Sequence, residues 1–569
     1  MSTALQVGQF QAPADLQRSV AEGWRVLDEQ QVAARISQID ASLWKSDPAI
    51  QEKIRNRLGW LTVVNTMREK YDEIATLVDA VRKDGYKSAI LLGMGGSSLC
   101  PEVLRTTFGV VPGYLELYVL DTTDPDTVHT VEQKIDLRTS LFIVASKSGG
   151  TIETMSHYKY FFDRVSKEVG ADEAGKHFIA ITDPGTSLET LGREQNFRHV
   201  FLNPPDIGGR YSALSFFGLV PGALIGLNIP RLLEWGEKAM NASQKSSAQE
   251  NPGLWLGGIM GALCKQQRDK VTFIISPELR SFGYWVEQLI AESTGKEGRG
   301  LLPVEGEQLG TPDVYGNDRI FAYLRVDGGD NSELDKGVQA LVDAGQPVVR
   351  FEIGDLYQIG AEFFRWEYAT VVSGFFLDIN PLDEPNVQES KDNTKRILTQ
   401  YQQEHRLPEP TPVVVTNEPA KIEIVGKENG GKDLAGYLHN FLAQVRPGDY
   451  IAIMAYVERT ESTEAALQAL RTHLRDTYKV ATTVGYGPRF LHSTGQLHKG
   501  GANNGVFIQI TGDVHQDASI PGEIYSFAVL KESQALGDLY SLDNHERRNI
   551  RIHVSGDLAK GLQVVDQAI

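Results

Sequence analysis

A short apolar run that ends in a glycine or polar turn, then a helix-like stretch, recurs through most of this chain. From Ser88 the runs are "SAILLG", "LELYVLD", "LFIVAS", "HFIAITD" and "HVFLN". A second set follows, "VTFIISP", "IFAYLRV" and "VVRFEI", and then a third, "KIEIVG", "YIAIMAYV", "ATTVGYG" and "GVFIQIT". Continuous apolar runs of this length read as strands buried on both faces, and their alternation with helices predicts parallel sheets wrapped by helices. The expected class is therefore α/β, with doubly wound parallel-sheet domains in tandem and a third C-terminal α/β unit. Before Ser88, "IRNRLGWLTVVNTMREKYDEIATLVDAVR" places apolar residues at helical spacing. The string "LPEPTP" around Pro408 reads as a boundary. The expected division is a helical segment over 1–80, α/β domains over 81–250 and 251–408, and a C-terminal α/β domain over 409–569.

Charge and cysteine usage narrow the function. A net charge of −18 disfavours nucleic acid and anionic membrane as partners. Cys100 and Cys264 are the only cysteines, which fits a reducing cytoplasm. The N-terminus lacks the pattern of a secretory signal, and no apolar run is long enough to cross a bilayer. A small anionic substrate is compatible with this acidity, because helix N-termini bind anions locally.

Five stretches have a chemical reading beside a structural one. "LLGMGGSSLCPEVL" is a strand end, a glycine turn and a helix start. Gly93, Gly95 and Ser98 approximate a dinucleotide fingerprint with Asp121 downstream, although a tight turn explains them as well. "LFIVASKSGGTIETMSH" runs a strand into Ser146, Lys147, Ser148, Gly149, Gly150 and Thr151 before a helix. Hydroxyls and free amides gathered at one helix N-terminus suit a single phosphate, and helix capping is the plainer alternative. "DIGGRYS" delivers Arg210 before an apolar helix, where the dipole disfavours a cation. In "YWVEQLIAESTGK", Gln288 and Glu292 share a helix face near a Gly295 cap, where a carboxylate becomes more basic and suits a general base. In "DINPLDEPNVQESK", Asp383 can cap a helix that starts near Pro385 and carries Lys391 two turns in. The last two stretches read equally as solvated helix faces.

Two other readings fail. "KIEIVGKENGGKD" has P-loop spacing at Gly426, Gly431 and Lys432, but Asp433 stands where Ser or Thr is needed, so it reads as a loop. No His, Cys or Asp cluster shows metal-ligand spacing, so no metal or other cofactor is expected.

In order, "GMGGSS", "SKSGGTIET", "GGRYS", "ESTGK" and "LDEPNVQESK" resemble the motifs of the glucose-6-phosphate isomerase family. The likeness looks closest to the isomerase half of the bifunctional transaldolase/glucose-6-phosphate isomerase type. It covers roughly residues 88–403 and implies a pair of sugar-isomerase (SIS) domains, a sugar-phosphate substrate and a homodimer. By resemblance, Gly96 and Ser97 match the sugar-binding turn, and Ser146, Lys147, Ser148 and Thr151 match the phosphate loop. Ser-Gly-Gly replaces the usual Thr-Phe-Thr in that loop. Arg210 matches the arginine facing the enediolate, Glu292 the base with Gln288 beside it, and Lys391 the ring-opening lysine. Glu384 stands where the family has Gln, which puts a direct substrate contact there in doubt. The family also has a ring-opening histidine between the Glu and Lys motifs, yet no histidine lies between Glu292 and Lys391. "RFLHSTGQLHKGG" matches that segment through His492, Gln496 and Gly501, so the segment is expected to act from the third unit. Whether His492 serves its own chain or a neighbour stays open. The motifs equally admit an isomerase of another sugar phosphate, such as mannose 6-phosphate. A non-catalytic SIS sugar-phosphate regulator and, more remotely, a dinucleotide-dependent dehydrogenase remain as rivals.

Overall fold

A computed structural model describes residues 5–569 and contains three sheets. In the first, strands Glu116–Leu120, Ser88–Gly93, Ser140–Ala145, Phe178–Thr182 and His199–Leu202 lie in that spatial order, all parallel. Every residue of Ser140–Ala145 is buried, as its apolar run predicts for a strand covered on both faces. The strand order reverses between Ser88–Gly93 and Ser140–Ala145, which pair in register from Ser88↔Ser140 to Gly93↔Ala145. The turns after these two strands thus open at one crevice at their carboxyl ends, where open α/β sheets bind ligands.

The second sheet orders Gln9–Gln11, Val348–Ile353, Arg319–Val326, Lys270–Ile275 and Leu302–Val304. Its first strand comes from the helical start of the chain and pairs antiparallel, Gln9↔Arg350. A three-residue Gln-Phe-Gln run gave no strand signal in the sequence. The third sheet orders Val414–Thr416, Lys421–Val425, Arg548–Ser555, Gly505–Gly512, Tyr450–Tyr456 and Ala481–Tyr486. Its last four members are parallel and its first two add antiparallel at the edge.

One apolar core joins the N-terminal helices, one face of the first sheet and the second sheet. The third sheet has its own core, from Val414 to Val565. Two further clusters fasten that unit down. One packs Ile520, Phe527 and Leu530 on the remaining face of the first sheet, and the other packs Phe490 and Leu497 against Ala291 and Leu302. This double docking carries residues near 490 and 530 to the crevice of the first sheet. The P-loop-like stretch is a loop, and Asp433 caps the following helix by accepting from the Gly436 amide.

Candidate active site

The phosphate-loop stretch folds as a strand, a turn and the helix Ile152–Val169. Gly149 has φ +73°, and a Cβ there would lie 2.7 Å from the Thr186 Cβ. Glycine alone meets both conditions without strain. Ser148, Gly150 and Thr151 line a cleft of about 500 Å³. The first amides of the helix have no intrahelical partner, so its positive end faces that space. Ser146 is buried, with its hydroxyl 2.9 Å from that of Thr151. Lys147 turns to Asp183 and donates to the Pro205 carbonyl at 3.0 Å. Neither of these two lines the cleft.

Across the crevice, the turn Gly95–Ser97 packs on two of the expected catalytic segments. A Cβ on Gly95 would meet Gln288 Nε2 at 2.8 Å and the His492 Cβ at 3.0 Å. Gly96 abuts the Gly209 carbonyl so closely that a Cβ would sit 2.1 Å from its oxygen. The two glycine turns therefore define each other's position, and Arg210 follows directly. Ser98 donates to Asp121 at 3.2 Å, so the acid that mimicked a dinucleotide fingerprint ties the turn to the next strand.

Arg210 is buried on all sides. Its Nε donates to Ser293 Oγ at 2.6 Å, and one terminal nitrogen donates to the Pro381 and Asp383 carbonyls at 2.9 and 3.0 Å. The other lies 2.9 Å from Glu384 and 3.4 Å from Glu292. Burial opposes the charge, but Glu292 and Glu384 outweigh it and keep the guanidinium protonated. The cation that looked misplaced in the sequence has its compensation here.

Gln288 and Glu292 lie on the helix Phe282–Thr294, which Gly295 terminates as expected. Gln288 Nε2 donates to Glu292 at 2.9 Å and to the His492 carbonyl at 2.7 Å. Its buried Oε1 has no partner among the described residues. Burial raises the Glu292 carboxyl above its usual range; Arg210 opposes the shift and Glu384 adds to it.

His492 does reach this place, within its own chain. Its Nε2 lies 3.0 Å from Oε1 of Glu153, across a separation of 339 residues. Gln496 staples the segment down by accepting from the Asn386 amide at 2.8 Å and donating to the Gly295 carbonyl at 2.9 Å. One side chain thus joins the end of the Glu292 helix to the start of the Lys391 helix. Lys391 and His492 line the same cleft as Ser148 and Thr151. Asp383 does not cap the Lys391 helix, because it pairs instead with buried Lys296 at 2.8 Å. Glu384 takes the cap position, without a capping hydrogen bond.

Two functional candidates escaped the sequence reading. Glu153, two residues into the phosphate helix, is the partner of His492, and Gln534 of the third unit donates to the same carboxylate oxygen at 2.7 Å. Burial pushes the Glu153 carboxyl up, but the charges of His492 and Lys391 outweigh it and hold the group below its ordinary range. Among the described residues, no group of three or more His, Cys, Asp and Glu could hold a metal ion, and no helix is long and apolar enough to cross a membrane.

The phosphoglucose isomerase family model matches residues 60–301, the part that holds both glycine turns, the phosphate loop, Arg210 and Glu292. Over that part the chain is similar to the phosphoglucose isomerase family. A probable glucose-6-phosphate isomerase of Methanococcus maripaludis is 28% identical over 389 residues, covering 61% of this chain and 86% of the relative. For the glucose-6-phosphate isomerase of Campylobacter jejuni the values are 27% over 383 residues, 60% and 92%. Among solved structures, a hypothetical protein from Thermus thermophilus superposes with a TM-score of 0.57 at 22% identity, covering 68% of this chain and 99% of that one. A glucose-6-phosphate isomerase from Chlamydia trachomatis gives 0.54 at 18%, covering 68% and 86%. The two structures speak to the fold alone, that of α/β parallel-sheet domains in tandem with a further unit attached.

Proposed function

We propose that this protein interconverts glucose 6-phosphate and fructose 6-phosphate through a cis-enediol, with the site residues in the following roles. The observation that carries the assignment is the convergence of Glu292, Gln288, His492 and Glu153 beside the phosphate-loop cleft in one chain. The helix N-terminus with Ser148 and Thr151 binds the phosphate. Its binding energy, remote from the reacting carbons, orients them. Ser146 and Lys147 support the loop from behind. Gly96 and Ser97 form the sugar-facing turn. The free Gln288 Oε1 is placed to accept from a substrate hydroxyl.

His492 and Lys391 open the ring by moving a proton between the anomeric hydroxyl and the ring oxygen. Glu292 takes the proton from C2 and returns it to C1. Its raised carboxyl makes it a stronger base than a solvated glutamate, and activity falls as pH drops through its titration. Arg210 stabilises the enediolate oxygen by its field, since most of its donors are already engaged. The division at 1–80, 81–250, 251–408 and 409–569, a cytoplasmic location and a homodimer complete the proposal. Free Cys100 and Cys264 are in keeping with a reducing compartment.

The test follows fructose 6-phosphate formation, together with exchange of the C2 proton with solvent. Glu292→Gln should lower kcat by about 10⁴, the upper range for a positioned acid–base group, with KM little changed. Full activity in that variant would remove Glu292 from its role. Turnover of mannose 6-phosphate alone would replace the substrate.

A further inference from the structure

We propose that Gln534 is a positioning residue for the acid–base imidazole; the inference rests on the isomerase reading above. Gln534 belongs to the helix Phe527–Asn544 of the third unit and is buried. Both ends of its amide are used. The Thr123 hydroxyl donates to Oε1 at 2.7 Å, and Nε2 donates to Glu153 Oε1 at 2.7 Å. His492 Nε2 meets that same carboxylate oxygen at 3.0 Å.

An ionised carboxylate oxygen only accepts, so both groups facing it must be donors. The amide therefore has one orientation, and the hydrogen of His492 sits on Nε2. In the neutral ring the lone pair then lies on Nδ1, which becomes the nitrogen able to take a proton from substrate. A hydrogen bond to the charged form also favours that form, so the Gln534 amide works against protonation of Glu153 in a buried setting.

The helix that presents Gln534 is braced on three sides. Lys531 pairs with Asp124 of the first unit at 2.8 Å, and Asp538 pairs with Lys499 of the His492 segment at 2.6 Å. Ser541 accepts from Asn393 of the Lys391 helix at 2.8 Å. A side chain held this firmly fixes the direction of its hydrogen bond, which a solvent-facing glutamine cannot do.

The experiment compares full-length wild type with Gln534→Leu, Glu153→Gln and the double variant. Gln534→Leu should lower kcat about tenfold, part of the 10²–10⁴ a positioned acid–base group supplies, with KM within about twofold. The double variant should be no slower than Glu153→Gln alone, because Gln534 acts through Glu153. In ¹⁵N-histidine-labelled protein, the His492 ring should give the Nε2–H tautomer pattern in wild type and a mixed pattern in Gln534→Leu. If the leucine variant fails to fold, Gln534→Glu, similar in size, serves instead and should reduce kcat at least as much. Unchanged kcat, or rate effects of the two substitutions that simply multiply, overturns the inference. Should wild type show no isomerase activity, the functional reading fails, and the ¹⁵N pattern alone decides whether Gln534 sets the ring.

Discussion

The phosphate loop and the imidazole sit at one cleft but are built in opposite ways. The loop is local: one strand, six residues and one helix supply its hydroxyls and amides. The imidazole is assembled, since His492, Glu153 and Gln534 lie on separate elements 339 and 381 residues apart in their pairwise contacts. A local site depends on the turn itself, whereas an assembled one depends on how whole units dock. The two should therefore fail differently.

The largest expected difference comes from Lys499→Met. Its ammonium and Asp538 form an ion pair whose side chains are 1% and 0% exposed. Removing one partner leaves a buried charge alone, which costs roughly 3–5 kcal/mol. Urea unfolding should show that loss, and kcat should fall while KM stays near wild type. A variant as stable as wild type would break the claim that docking holds the imidazole.

Acid sharpens the comparison at an intermediate level. His157 lies on the helix Ile152–Val169, donates from Nε2 to the Thr122 carbonyl at 2.8 Å and stacks on Phe527 of the third unit. Burial pushes its imidazole down to about 4. The unfolded chain takes up that proton below about 6.5 while the folded one cannot, so stability falls as pH drops from about 6.5 towards 4. At pH 5 this amounts to about 2 kcal/mol. Unfolding free energies at pH 7.5 and pH 5 should differ by about 2 kcal/mol less in His157→Gln.

The smallest effect belongs to the loop. Thr151→Ala removes one hydroxyl from the cleft, and loss of a hydrogen bond to a charged group, about 1.5 kcal/mol, corresponds to roughly tenfold in KM. Stability and kcat should hold, the mirror image of the Lys499 result. A drop in kcat at saturating substrate would erase the contrast.

The same contrast explains what could be read from the sequence. Most interior strands of the three sheets were legible because burial on both faces leaves a continuous apolar run. Gln9–Gln11 and Leu302–Val304 were not, being three residues each, and Arg548–Ser555 hides its apolar positions between charged ones. In the site, "SKSGGTIET" was legible as a glycine turn opening a helix, since glycines and hydroxyls before a helix carry their meaning locally. Arg210, Glu292, Lys391 and His492 were picked out largely by resemblance to a family. Glu153 and Gln534 had no signal: an acid in a first helical turn and an amide in mid-helix look like surface until tertiary contacts bury them. Asp383 misled for a related reason, because buried Lys296 competes for its carboxylate.

His492 arrives along the same covalent chain that holds Glu153. The fold therefore sets its effective concentration at the cleft, and the molarity of the protein does not. Diluting the protein should leave that imidazole in place. Mixing a Glu292→Gln variant with a His492→Ala variant should yield no hybrid that regains turnover.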